Sequence, residues 1–360
     1  MAIRPDDATS LAKGLREQFA EAETLLLQKI AKALSDGKDG PDWAERKLRN
    51  IQALRAQTDR IIASLQLGLP GAVEEAVGMA YNRGVATAGA ELTSAGLIHG
   101  AFGEVQPTGA LAALVRDTLG LLTPMRFHIS RAVNDIYAQT VRQAVAQAAL
   151  GVVTRREASA IILERLGKTG ITGFRDTAGR NWNMASYAEM AARTSTSQAM
   201  LQGSTDRLRE LGVDTVIVSN APEECAVCRP FEGKVLSLTG QTSGKLRDGR
   251  TVMASLAEAK ARGLYHPNCR HSHNIYLPGI TKGPGTDTAD PEGDKLRQQQ
   301  RAYERRIREL KRQVAIADEF GGQQAAQTRA KLRSKQAEFK SWRDENGRKD
   351  LSYRTSLKVR

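Results

Sequence analysis

The side chains best suited to chemistry lie in two short stretches of this 360-residue chain, which hold all three cysteines and three of the five histidines. Cys225 and Cys228 form a Cys-x2-Cys pair in "ECAVCRPFEGKVL", and "YHPNCRHSH" adds His266 and Cys269 after thirty-seven intervening residues. Two thiolates from one tight turn can reach the same ion, and a His-x2-Cys turn completes the tetrahedral donor set that zinc prefers. The spacing therefore predicts a zinc site held by Cys225, Cys228, His266 and Cys269.

The spacing does not decide which histidine is the fourth ligand. His271 and His273 follow Cys269 within a few residues, and either is an alternative to His266. A closed set of four ligands leaves no position for a reactive water, so the zinc is expected to be structural and not catalytic. The plain alternative is three partly buried thiols beside ordinary histidines.

Three hypotheses of enzymatic activity are alternatives to a structural zinc site. A cysteine nucleophile with His266 as its base lacks any local cysteine-protease signature. An HNH-like nuclease built on "HPNCRHSHN" needs a nearby carboxylate ligand, and Glu258 is not obviously placed for that role. The "RTSTSQA" run at 193–199 is similar to an ADP-ribosyltransferase element but falls inside an expected helix. We therefore expect no enzymatic activity.

The composition favours helices and a soluble protein. Hydrophobic residues make up 41% of the chain but aromatic residues only 5%, and Ala, Leu, Gln and Arg are prominent, which predicts a mainly α fold. No stretch reaches the roughly 18 apolar residues of a membrane span. Asp6 and Asp7 stand where a secretory signal would be basic and then apolar. The expectation is a protein made in the cytoplasm, without a membrane or small-molecule partner.

Helical periodicity dominates the first 166 residues, which we expect to form long N-terminal helices. One apolar stripe marks a first helix, and a second helix is expected to start at Asp42, with Glu45 completing a capping box, and to end at Pro70. A third stripe predicts a rod of about six turns. The stripes are Leu15, Phe19, Ala22, Leu26 and Ile30 in the first helix, and Ile129, Val133, Ile136, Val141, Ala144 and Ala148 in the rod.

The middle of the chain, residues 167–280, is predicted to form a small α+β zinc-binding domain. A turn at 176–179 separates two short strands, and Ser186 is expected to cap a helix that Gly212 ends. The β-branched content of "DTVIVSN" and "GKVLSLTG" predicts two further strands. Residues 281–360 then form a linker and a C-terminal basic helical tail.

The positive charge is concentrated in that tail. The chain carries a net charge of +13, and residues 291–360 hold nineteen Lys and Arg against ten Asp and Glu, so +9 of the charge lies there. Basic side chains release counterions when they neutralise a phosphate backbone, which predicts DNA binding by a solvated arm. The candidate contacts are Arg301, Arg305, Arg306, Arg308, Lys311, Arg312, Lys331, Arg333 and Lys335.

Three blocks from about Tyr187 onward resemble one protein family. "YAEMAARTSTSQAMLQGSTDRLRELGVDTVIVSN", "CAVCRPFEGKVLSLTG" and "GLYHPNCRHSHNIYLPGI" follow one another in the order found in the phage minor capsid protein 2 family, relatives of the Mu F-type head morphogenesis proteins. The resemblance implies a minor head component inside the capsid of a tailed phage, near the portal vertex, that assists procapsid assembly and DNA packaging or ejection. It implies portal proteins, capsid proteins and packaged double-stranded DNA as partners. A zinc-dependent nucleic-acid-binding module or an HNH-like nuclease is the alternative.

Overall fold

A computed structural model describes residues 5–36, 40–97, 105, 109–151, 153–175, 179, 181–221, 227–267, 269–281, 283, 290–321 and 323–357. Across these residues the protein is mainly helical, with a five-stranded sheet and a two-stranded hairpin. The mainly α architecture with a small sheet, expected from composition and periodicity, is confirmed. Within the described residues, no helix combines the length and the apolar character needed to cross a membrane.

The helices differ widely in length. They are α1 (Pro5–Leu11), α2 (Lys13–Ser35), α3 (Trp43–Arg49), α4 (Ile51–Ser94), α5 (Gly109–Leu122), α6 (Met125–Ala149), α7 (Arg155–Thr169), α8 (Met184–Glu210), α9 (Leu256–Ala261), α10 (Pro291–Phe320) and α11 (Gln323–Glu345).

The strands are short and lie between α7 and α10. They are β1 (Thr172–Arg175), β2 (Asn181–Asn183), β3 (Thr215–Val218), β4 (Val235–Ser237), β5 (Gly244–Lys245), β6 (Thr251–Ser255) and β7 (His273–Ile275). β1 and β2 form the hairpin, and the sheet has the order β5-β6-β4-β3-β7 with only the β4–β6 pair parallel. The predicted hairpin and the two predicted strands β3 and β4 are confirmed.

Two compact units are formed, and each collects three separate segments of the chain. The first unit holds residues 1–14, 71–120 and 189–295, and the second holds 15–70, 121–188 and 296–360. The three consecutive domains expected from the sequence, 1–166, 167–280 and 281–360, stay a prediction.

The first unit is built around the five-stranded sheet. One face of the sheet packs on α8 and on the last turns of α4. The apolar core between these elements also contains Cys228. β3 supplies Val216 and Val218 to this core, while Ile217 between them points into a smaller cluster on the other face. This alternation follows from the two-residue period of a strand.

α4 and α8 cross in the first unit with their backbones in contact. A Cβ added to Gly84 would lie 2.8 Å from the carbonyl carbon of Met200, and one added to Gly203 would lie 2.9 Å from that of Tyr81. Tyr81 donates a hydrogen bond of 3.0 Å to the buried Asp206 on the facing helix. The two glycines are therefore required for the crossing.

The second unit is held together by a buried ion pair as well as by apolar packing. Glu23 on α2 is fully buried and lies 3.3 Å from the guanidinium of Arg312 on α10. Its carboxylate also accepts from the N–H of Ile171, next to Gly170, whose φ is +72°. Since Gly170 packs directly on the Glu23 carboxylate, a side chain there would collide with it.

One predicted helix start is correct in position but not in its capping contact, and one predicted helix end is wrong. Asp42 occupies the N-cap position of α3 as predicted, but it makes no capping hydrogen bond, and its carboxylate pairs with Arg46 instead. Pro70 lies inside α4 and does not end it. Pro70 is exposed, whereas its neighbours Leu69 and Val73 are buried, so apolar burial at neighbouring positions outweighs the missing N–H.

The predicted cap of α8 is also wrong. α8 begins at Met184, and the side chain of Asn183 accepts a hydrogen bond of 2.8 Å from the N–H of Ser186. Asn183 therefore does the capping that was assigned to Ser186. The predicted end is correct, since Gly212 adopts a φ of +71° just beyond the helix.

Candidate functional site

The candidate metal centre lies in the first unit, where two turns meet at the end of the sheet. Cys228 precedes a short 3-10 turn, Arg229–Phe231, which leads into β4 and is tied to β3 by the bond from Gly233 N–H to Val218 O. The second turn follows α9, where Tyr265 takes a left-handed φ of 63° and the N–H of Cys269 donates to His266 O. Sheet pairing thus brings together cysteines that are distant in sequence.

The geometry of the cluster fits a tetrahedral metal. The Sγ atoms of Cys228 and Cys269 are 3.4 Å apart, close to the roughly 3.8 Å edge expected for Zn–S bonds of about 2.3 Å. The ligand atoms of Cys228, His266 and Cys269 lie within 4.8 Å of one another. Three of the four predicted ligands are therefore brought together, and the fourth, Cys225, lies outside the described residues.

His266 has the tautomer that a ligand needs. Its Nδ1 lies 2.8 Å from the carbonyl oxygen of Pro267, and because a carbonyl only accepts, Nδ1 carries the proton. The lone pair is then on Nε2. Such a backbone contact to the second nitrogen is the usual way in which proteins orient a metal-binding histidine.

His271 lies beside this set without joining it. Its Nδ1 is 3.5 Å from Cys269 Sγ, its N–H donates to the same sulfur over 3.4 Å, and its Nε2 is 2.6 Å from Glu232 Oε1. Burial alone lowers the pKa of His271, but its bonds to Cys269 and Glu232 outweigh burial and raise it. Burial raises the pKa of the Cys269 thiol, yet hydrogen bonds from His271 and Cys228 bring it below its ordinary value, toward the thiolate that a metal requires.

His273 has both ring nitrogens in hydrogen bonds of the core. Nδ1 lies 2.9 Å from the hydroxyl of Tyr265, and Nε2 lies 3.2 Å from that of Thr205. Burial, with a smaller effect of Lys260, lowers the pKa of His273 to about 3, so the ring is neutral. This placement suits a packed core histidine and not the alternative ligand or the nuclease residue considered from the sequence.

The other candidates for enzyme chemistry have structural contacts. Glu258 forms a capping box with Ser255 at the start of α9, and this Ser-x2-Glu signal is visible in the sequence. The "RTSTSQA" run lies inside α8, as expected. Two of its hydroxyls join helices of the first unit, since Ser195 lies 2.5 Å from Thr118 and Thr196 donates to Ala8 O.

The basic C-terminal region is helical, as predicted, but it is folded into the second unit, so the expectation of a solvated arm is wrong. α10 buries residues such as Ile307, Leu310 and Ile316 in the second unit. Tyr303 stacks on Phe339 with ring centroids 5.3 Å apart, which joins α10 to α11. These contacts hold both α10 and α11 in the folded second unit.

Six of the nine predicted DNA contacts bind groups of the protein itself. Arg301, Arg306 and Lys335 each pair with a glutamate three residues further along the chain. Arg312 pairs with Glu23. Arg308 and Lys311 bind backbone carbonyls of the C-terminal segment, since Arg308 donates to Arg354 O over 2.9 Å and Lys311 donates to Thr355 O over 2.8 Å. The exposed members are Arg305, Lys331 and Arg333.

Glu232 and Arg16 make important contacts that were not predicted from the sequence. Glu232 stands in the "PFEGKV" block beside the cysteine pair, which was the available signal. Arg16 is buried and donates to the carbonyls of Tyr353 and Arg354, and nothing in its local sequence marks that contact.

Comparison with known proteins identifies the family. A family model described as "Phage minor capsid protein 2" matches residues 3–343. A "Structural protein" of Lactococcus phage LL-H is 23% identical over 216 residues, which cover 59% of this chain and 58% of that relative's length. No solved structure matches the chain. Since the family match spans nearly the whole sequence and includes both Cys/His stretches, the chain belongs to the phage minor capsid protein 2 family.

Proposed function

We propose that this protein is a minor structural component of a tailed-phage head, inside the capsid at or near the portal vertex, where it assists procapsid assembly and DNA packaging or ejection. The family match over residues 3–343 is the observation that carries this proposal. The phage relative described as a structural protein supports it. The partners are then portal and capsid proteins and the packaged double-stranded DNA.

The proposed cofactor is one structural zinc per chain, held by Cys228, His266, Cys269 and, as the predicted fourth ligand, Cys225. When bound, the ion supplies a cross-link between the turn before β4 and the turn after α9. The sheet of the first unit has strands of only two to five residues. Short strands bury little area each, so a metal cross-link contributes folding free energy that the core alone supplies poorly.

The proposed DNA contact is the exposed part of the C-terminal helices α10 and α11. Lys331, Arg333 and Lys340 are exposed on α11, and Arg305 is exposed on α10. Long basic side chains on a solvent-facing helix reach phosphates without reading bases, so binding is expected to be independent of sequence and weakened by salt.

The proposed mode of action is by position and not by turnover. A closed set of four ligands would give a metal no coordination site for a reactive water. The thiols of Cys228 and Cys269 contact each other where the two turns meet, and His273 is neutral in the core. These contacts favour a scaffold over a nuclease.

Metal analysis of the purified full chain tests the zinc proposal. We expect about one zinc per chain in protein prepared without chelator. Cys228→Ser and Cys269→Ser should lose the metal and destabilise the first unit, whereas His128→Ala, which removes an exposed histidine, should keep it. Zinc-free wild-type protein, or retention of zinc by both serine variants, would refute the site.

DNA binding is tested with two triple variants that remove the same charge. The first removes exposed side chains and should reduce duplex affinity and lower the slope of log affinity against log salt by roughly 0.9 per lost phosphate contact. The second removes side chains that bind the protein itself and should mainly lower stability. The exposed triple is Arg305→Ala, Lys331→Ala and Arg333→Ala, and the engaged triple is Arg306→Ala, Arg308→Ala and Lys311→Ala. Equal losses of affinity in both would place the contact elsewhere.

The role in the particle is tested in the phage itself. Deleting the gene should yield heads that are defective in assembly, packaging or infection, seen by electron microscopy and by plaque counts. The protein should also co-purify with the portal or procapsid in a low copy number. Normal heads with normal infectivity after deletion would remove the proposed function.

A further inference from the structure

Glu232, which is half-buried, and His271, which is buried, form a pair beside the candidate metal centre. Glu232 Oε1 lies 2.6 Å from His271 Nε2, and the two side chains are 14% and 1% exposed. An ionised carboxylate only accepts hydrogen bonds, so the proton of this contact is on Nε2. The pair therefore sets the orientation of the His271 ring.

That orientation points the other edge of the ring at one sulfur of the cluster. His271 Nδ1 is 3.5 Å from Cys269 Sγ, and the backbone N–H of His271 donates to the same sulfur over 3.4 Å. The three ligand atoms that lie within 4.8 Å of one another belong to Cys228, His266 and Cys269, and His271 is not among them. The ring thus contacts a ligand atom from outside the set.

Glu232 also ties down the chain on the other side of the site. Its Oε1 accepts from the N–H of Ala221 over 3.3 Å, at the end of the segment that follows β3. The neighbouring segment is held to the residues just before β7, because Ser219 N–H donates to Ser272 O and Ser272 N–H donates to Ser219 Oγ. One carboxylate therefore joins the turn of Cys228, the segment after β3 and the segment of His271 that leads into β7.

We propose that Glu232 and His271 are positioning residues of the metal centre: Glu232 holds the His271 ring, and the ring holds the Cys269 sulfur toward the ion without binding the ion itself. This inference rests on the proposed zinc site. Outer partners of this kind orient ligands in metal sites generally, and their removal weakens metal binding about 10- to 100-fold. His271 is thereby assigned to the surroundings of the zinc site and not to its ligands.

Cobalt binding to the full chain separates ligands from positioning residues. The d–d bands of bound Co²⁺ report which atoms coordinate it, and chelator competition reports affinity. We expect Glu232→Ala and His271→Ala to bind Co²⁺ and Zn²⁺ about 10- to 100-fold more weakly with unchanged d–d bands. His266→Ala should shift those bands, because it removes a ligand.

Two further variants control for folding. Glu232→Gln keeps an oxygen that accepts from His271 and should lose less affinity than Glu232→Ala. Glu258→Gln alters a carboxylate of the same unit that caps α9, and it should leave the affinity unchanged.

The outcomes are distinguishable. A wild-type chain that takes up no cobalt or zinc refutes the zinc site itself. A wild-type chain that binds metal, with equal affinity in Glu232→Ala and His271→Ala, refutes the positioning role alone. Shifted d–d bands in His271→Ala make His271 a ligand and also overturn the inference.

Discussion

Replacing Gly84 by alanine tests whether the α4–α8 crossing depends on backbone contact. The added Cβ would lie 2.8 Å from the carbonyl carbon of Met200 and closer still to its oxygen, where ordinary contacts are 3.4–4 Å. The obstacle is helix backbone and not a flexible side-chain end. The two helices would therefore have to separate by more than half an ångström, on the order of the overpacking that costs about 1–3 kcal/mol.

Alanine also has a favourable effect at this position. It improves helix propensity by about 1 kcal/mol relative to glycine. Because the contact involves backbone on both helices, we place the overpacking cost at the upper end and expect a net loss of about 2 kcal/mol in the free energy of unfolding. Gly78 is the matched control, since it lies in the same helix and has nothing within 4 Å of its added Cβ. Gly78→Ala should be stabilising by about 0.5–1 kcal/mol.

The measurement is urea unfolding of both variants and the wild type, followed by far-ultraviolet circular dichroism. We expect the midpoint of Gly84→Ala to fall and that of Gly78→Ala to rise. Gly203→Ala should behave like Gly84→Ala, because its Cβ meets the backbone of Tyr81. Shifts of the same sign and size at Gly84 and Gly78 would refute the close crossing.

Two further predictions concern buried and hydrogen-bonded carboxylates. Arg312→Met leaves Glu23 buried without its charge partner and should lower the free energy of unfolding by about 3–5 kcal/mol at neutral pH. Burial raises the pKa of Glu23 above 4.5, so this loss of stability should shrink as the pH falls toward 4.5 and the carboxyl becomes protonated. Glu23→Gln added to Arg312→Met should recover stability. A deficit that does not change with pH would contradict this. At Asp214, burial raises the pKa, but hydrogen bonds from Thr242, Ser237 and Thr239 outweigh it and lower the pKa to about 2. Asp214→Asn should cost about 1 kcal/mol above pH 4, after allowance for solvent screening, and the difference from wild type should vanish as the pH falls through 2 in thermal unfolding.

Local patterns were enough to predict most elements of the fold. The apolar stripe from Leu15 to Ile30 is buried along α2. Four of the six predicted positions of the rod are buried along α6, and Tyr137 is buried there in place of Ile136. Helical and strand periods are set by neighbours within a few residues, so they are visible in the sequence. Boundaries were less predictable: Pro70 sits inside α4 because burial at other positions outweighs a local rule.

The candidate metal centre was predictable in its residue types but not in its arrangement. Spacing placed each half of the cluster on one turn, and pairing in the sheet then brought Cys228 to Cys269. The contact of Glu232 with His271 joins residues thirty-nine positions apart. No spacing rule links such positions, because their separation in space depends on the path of the chain between them.

The sequence by itself determined the amount of charge in the C-terminal region, and only the tertiary structure decided what that charge does. Composition and spacing are sums over residues or over neighbours, so a net of +9 after residue 290 can be counted without a fold. Whether an arginine meets solvent or a carboxylate depends on elements that are distant in sequence. Arg312 meets Glu23, 289 positions away, while Arg333 stays exposed, although both belong to the same basic region.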